Sequence, residues 1–167
     1  MSKRYLEIAS QRNVLLGCVA VSAALMYLMS ENMFPPSAIK PFMDATTAEK
    51  ALSAAAEGQL LKAYAISLLT LDTLFPIAYV ALLSGLIFRS QSGRDRVWLA
   101  LTPVVLGMWD YCENTQLALI HFLYPDHSAW LIDSALLFGK GKFLGLAVCM
   151  IIWLASWISG RFRKADG

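Results

Sequence analysis

Asp110, Glu113 and Asn114 stand at positions i, i+3 and i+4 of the stretch GMWDYCENTQLALIHF, residues 107–122. On a helix that spacing puts two carboxyl groups and an amide on one side. The stretch is otherwise apolar, and an ionisable group at the centre of a bilayer costs about 2.5–3.5 kcal/mol even on lenient scales. Such a face must look into protein or a wet cavity. Two further stretches carry the same signal. Asp72 lies in LDTLFPIAY, four residues before Pro76, whose missing N–H leaves the carbonyl of Asp72 without its helical donor. A carboxyl group and a freed carbonyl at one residue predict a kink that lines a cavity, with the Tyr79 hydroxyl close enough to help. Lys140 and Lys142 interrupt WLIDSALLFGKGKF. They diverge by about 200° on a helix, so one of them is expected to meet the acids, and Lys142 is favoured. The chemistry open to this set is recognition of a polar or cationic head beside apolar walls. If there is catalysis, it is proton transfer, with Asp110 and Glu113 as acid and base, Asn114 orienting and Lys142 balancing charge.

The elements that must position these residues are helices. Hydrophobic residues make up 57% of the 167, charged residues only 16%, and the mean hydropathy is +0.54. That is a membrane composition. Four spans are expected, at about 13–30, 60–88, 97–122 and 130–159, in one membrane domain covering 1–167. The expected fold class is therefore all-α, a four-helix transmembrane bundle. The first span also begins as a signal peptide would, after Lys3, Arg4 and Arg12, but its apolar run is long and LMSENM is a poor cleavage site. The outer loop, 31–58, is interrupted by Pro35, Pro36 and Pro41 and then turns alanine-rich. Thr46 and Glu49 have capping-box spacing, which predicts a short extracytoplasmic surface helix over about 47–57, a cover for the bundle end or a substrate lid. Pro103 is expected to bend the third span near its inner end. Trp98, Trp130, Trp153 and Trp157 lie toward span ends, where aromatic belts form.

Orientation follows from the basic residues. Lys3, Arg4, Arg12, Arg89, Arg94, Arg96, Arg161, Arg163 and Lys164 fall on one side of the expected membrane, and only Lys40 and Lys50 on the other. Both termini are thus expected in the cytoplasm of a bacterium, with the chain in its inner membrane. Helical rise then sets depth. Asp72 and Asp110 come out about 18 Å below the outer surface, Glu113 about 13 Å, Lys140 about 15 Å and Lys142 about 18 Å. Three helices thus bring their charges to one layer. Lys62 and Asp133, near outer span ends, are expected to be solvated, and His121 and His127 to lie at the outer interface, His121 with a proton relay as its sharper reading.

Other classes fall away. A formal charge of +2 with no basic stripe argues against nucleic-acid partners. Cys18, Cys112 and Cys149 form no CxxC, and no metal motif, phosphate loop or cofactor fingerprint is present, so neither a metal nor a cofactor is expected.

The ordered elements LDTLFPIAY, DYCENTQ and a lysine in the last span resemble small bacterial four-helix membrane proteins of unassigned function, over roughly residues 60–150. The resemblance implies Asp72, Pro76, Tyr79, Asp110, Glu113, Asn114 and Lys142 as the positions to test, and no reaction. A looser similarity, at the level of fold alone, is to the emopamil-binding-protein-like (EXPERA) membrane proteins, with buried acids around a sterol-like ligand. The expected function is an intramembrane site for a small amphipathic molecule or lipid. The alternative is a structural or accessory subunit of a membrane complex, whose buried ion pairs lock the helices and whose outer loop meets a protein partner. A proton or ion pathway ranks third.

Overall fold

The computed structural model describes residues 3–32, 39–40, 42–91 and 97–165. Pro35, Pro36, Pro41, Arg94 and Arg96 lie outside them. The described chain is helical: α1 (Lys3–Ala9), α2 (Arg12–Asn32), α3 (Ala45–Glu57), α4 (Leu61–Leu69), α5 (Leu71–Ser90), α6 (Thr102–Leu123) and α7 (Ala129–Ala165). A turn of 3-10 helix, Leu99–Leu101, leads into α6. Among the described residues, three stretches are long and apolar enough to cross a membrane: Arg12–Met29, Leu61–Ser90 and Ala129–Arg161. Helix α6 has 22 residues but is not among them, because its polar residues lower its hydropathy.

Helix α5 packs against α2, α6 and α7, and α6 packs closely on α7. At one end Leu6 of α1 buries against Ile87, Phe88 and Ala100. In the middle Leu83, Leu106 and Cys149 meet. At the other end Leu52, Leu68, Leu117, Ile120 and Ile132 form the largest cluster, joined by Met29. The three clusters fix the antiparallel run of α5, α6 and α7. Outside them the helices present large apolar side chains such as Leu74, Ile77, Val105, Leu144 and Ile151.

Several local expectations change. Lys3–Ala9, ahead of the expected first span, forms a helix of its own, with Leu6 and Ala9 buried. The N-cap of α3 is Asp44 rather than Thr46: its Oδ1 accepts from Thr47 N at 2.8 Å, and the helix starts two residues early. The hydrogen bonds from Thr47 hold the exposed Asp44 carboxyl below the usual aspartate range. Glu49, released from a capping box, reaches His127 at 3.0 Å, and Ser53 meets the Tyr124 hydroxyl at 3.2 Å. Helix α3 is thereby fastened to the α6–α7 turn. Pro103 bends nothing; it occupies the first turn of α6, where a missing N–H is harmless. The stretch read as one span over 60–88 is two helices, broken at Thr70 (φ −114°, ψ −82°).

Candidate functional site

The break at Thr70 and the proline at 76 both leave carbonyls short of helical donors, and side chains supply them. Thr70 Oγ1 donates to Ile66 O at 2.7 Å and Thr73 Oγ1 to Leu68 O at 3.0 Å. Asn114 Nδ2 donates to Asp72 O at 3.1 Å, and the Tyr111 hydroxyl to Thr73 O at 3.1 Å. The carbonyl freed by Pro76 is therefore satisfied from α6, by the amide of the D-x-x-E-N element. Tyr79 does something else: its hydroxyl donates to Asp110 Oδ2 at 2.8 Å.

Helix α7 completes the cluster. Lys142 Nζ donates to Asp110 Oδ1 at 2.8 Å and lies 2.8 Å from Glu113 Oε2. The second contact is an ion pair that misses hydrogen-bonding direction. Lys140, two residues earlier, is exposed on the opposite side of the helix. Asp110 thus has both carboxylate oxygens engaged and is fully buried, while Asp72, Glu113 and Asn114 are 8%, 4% and 2% exposed.

The approach of α7 to α6 depends on two glycines. A Cβ on Gly141 would fall 2.5 Å from the Trp109 indole nitrogen, and one on Gly145 2.9 Å from Leu106 Cδ1. Trp109 is pinned in turn, donating to Phe138 O at 2.9 Å. The spacing G-x-x-x-G at 141–145 is the familiar signature of close helix approach in membranes. It flanks Lys142 and is legible in the sequence, where the charge of the lysines overshadows it.

Beside the cluster lies a cavity of about 520 Å³. Asp72, Tyr79, Asp110, Glu113, Asn114 and Lys142 all border it, so the structure brings the expected ligand-facing residues to one space. Its other walls are apolar: Met26 and Met29 of α2, Leu68 and Phe75, Leu106 and Leu117, Phe143 and Leu146. Along α6 the lining runs from Leu106 to His121. That stretch is about 22 Å of helix.

His121, expected at the outer interface, is buried against its neighbours at 6% exposure. Its Nδ1 donates to Leu117 O at 2.7 Å, and its ring meets Tyr64 edge-on, with centroids 5.6 Å apart. The signal was present: 110, 113, 114, 117 and 121 fall on one helical face. The His127 side chain, also expected at the interface, is 4% exposed in its contact with Glu49. Lys62 and Asp133 are exposed. Among the described residues no cluster of His, Cys, Asp or Glu has the arrangement to hold a metal ion.

No family model, no curated protein and no solved structure matches this chain.

Proposed function

We propose that the chain is a four-span protein of the bacterial inner membrane that holds a small amphipathic molecule in the cavity between α2, α4, α5, α6 and α7. The observation that carries this reading is the cavity itself. Its volume of about 520 Å³ lies within the range of small-molecule sites. Its apolar walls with a few convergent polar groups match the usual make-up of such sites. Helix α6, with 22 residues, serves as the fourth span. At the helical rise it extends about 33 Å, enough for a hydrocarbon layer of roughly 30 Å. Its polar face turns to the cavity. Both termini face the cytoplasm, where the basic residues fall. Any catalysis at the site is proton transfer through Glu113 or Asp72, since both oxygens of Asp110 are already bound.

Filling the cavity tests the reading. The protein and Leu68→Trp are purified in mild detergent, and co-extracted small molecules are compared by mass spectrometry. A compound held by the native chain and lost from a folded Leu68→Trp variant supports the site. An identical set of bound molecules in both sinks it.

A second reading rests on the satisfied state of Asp110: Lys142 and Tyr79 tie α5, α6 and α7 together there, as a structural lock would. In that case a protein partner, and no small molecule, is recovered with the chain.

A further inference from the structure

The polar groups that border the cavity are unequal in what they still need. Tyr79 has given its hydroxyl to Asp110, and Lys142 is drawn between Asp110 and Glu113. What remains on the cavity side is mostly acceptors. Asp72 and Glu113 Oε1 make no side-chain hydrogen bond with any described residue, Glu113 Oε2 is engaged by the Lys142 ammonium at 2.8 Å, and the buried Asn114 Oδ1 has no hydrogen-bond donor. Nor can Asn114 turn its amide over. Nδ2 must face the Asp72 carbonyl that Pro76 frees, because Oδ1 in that place would set acceptor against acceptor. Pro76 therefore fixes Oδ1 as the unused atom. His121 adds a fourth acceptor, since Nδ1 must carry the proton it gives to Leu117 O, which leaves Nε2 with the lone pair in the neutral ring.

Charge points the same way. Three carboxyl groups, on Asp72, Asp110 and Glu113, share the cavity wall with one ammonium, on Lys142. Asp72 stands on α5, across from the Lys142 contacts on α6, and has no cation of its own. A buried acceptor without a donor is unfavourable, and a carboxylate more so. Several converging on one space define the partner that would relieve them: a cation with several N–H donors, attached to an apolar body.

On the reading that the cavity binds an amphipathic molecule, we propose that its occupant is a protonated primary amine on a hydrocarbon body. The ammonium sits among Asp72, Glu113 and Asn114 Oδ1, and the hydrocarbon lies against Leu68, Leu117 and Leu146. An anionic head would bring acceptors to acceptors. A quaternary ammonium would supply charge and no N–H.

The test uses the full chain in detergent micelles, with four probes of equal chain length: dodecylammonium, dodecyltrimethylammonium, dodecanol and dodecanoate. Bound adducts are counted by native mass spectrometry at matched mole fraction, for the native chain, Asp72→Asn and the cavity-filled Leu68→Trp. Dodecylammonium is expected to bind at least about tenfold more tightly than the other three. Asp72→Asn is expected to remove most of that preference while leaving dodecanol binding unchanged and without lowering the melting temperature, since Asp72 holds no side-chain bond to lose. Equal binding of the trimethyl compound, of dodecanol or of dodecanoate, abolished by Leu68→Trp, overturns the amine assignment and leaves the cavity reading intact. An amine preference that survives Asp72→Asn also overturns it. Binding of no probe, or binding that Leu68→Trp does not diminish, removes both.

Discussion

Pro76 and Asn114 stand far apart in sequence and act on one carbonyl oxygen. A proline that deprives Asp72 O of its donor creates a need in apolar surroundings, and the amide on α6 meets it at 3.1 Å. The two residues are therefore energetically coupled. Asn114→Ala in the native chain should cost about 1–3 kcal/mol, the penalty of an unsatisfied buried polar group. In a Pro76→Ala background the backbone N–H at 76 returns to Asp72 O, and the same Asn114→Ala change should cost well under half as much. Thermal unfolding of the four variants in one detergent gives the coupling directly, and additive losses would contradict it. The need at Asp72 O is readable from D-x-x-x-P alone. The answer is not, because no local rule says which helix will supply the donor. The hydroxyl of Tyr79 is the nearer candidate in sequence, yet a stronger acceptor, Asp110, takes it.

Helices are more legible than their ends. Continuous apolar runs announce α2, α5 and α7, because burial in an apolar phase needs nothing more specific than length and hydropathy. Capping and breaks depend on competition between neighbouring groups. Asp44 displaces Thr46 as the cap of α3, and the break at Thr70 is hidden within an unbroken hydrophobic stretch. Depth from helical rise brings Asp72, Asp110, Glu113 and Lys142 to one layer, and these side chains do border one cavity. The close approach of α6 and α7 that lets Lys142 reach Asp110 rests on Gly141 and Gly145, and these two should not be equivalent. An alanine methyl at 145 meets the free end of Leu106, which can rotate away. At 141 it meets an indole held by its bond to Phe138 O and packed on the Phe138 ring at 4.9 Å. Gly141→Ala should thus destabilise by about 1–3 kcal/mol, the usual cost of overpacking, and Gly145→Ala by clearly less. Equal melting temperatures for the two variants would count against this account of the contact.

Parity governs the chain as a whole. The three helices apolar enough to cross by composition would leave the termini on opposite faces, whereas a crossing by α6 returns them to the same face. Two features favour the fourth crossing. Helix α6 shares the clusters of its neighbours, with Leu106 beside Leu83 and Cys149, and Leu117 and Ile120 beside Leu68 and Ile132. Its acids are also withdrawn from the outer surface, into contact with α5 and α7. Helix α7 has 37 residues. At about 55 Å it exceeds the hydrocarbon layer. Its Arg161 lies over the Trp157 ring at 4.1 Å, an anchor of the kind found at an interface. Single cysteines placed in a Cys18→Ala/Cys112→Ala background, where Cys149 is buried, read the parity. Lys50→Cys on α3 should react with a membrane-impermeant maleimide in intact spheroplasts, and Gln11→Cys and Arg161→Cys only after permeabilisation. Opposite behaviour of Gln11→Cys and Arg161→Cys would mean that α6 does not cross. Asp110 and Glu113 would then lie outside the hydrocarbon, where water could solvate them, and the cavity would lose the apolar setting that makes its unpartnered acceptors selective.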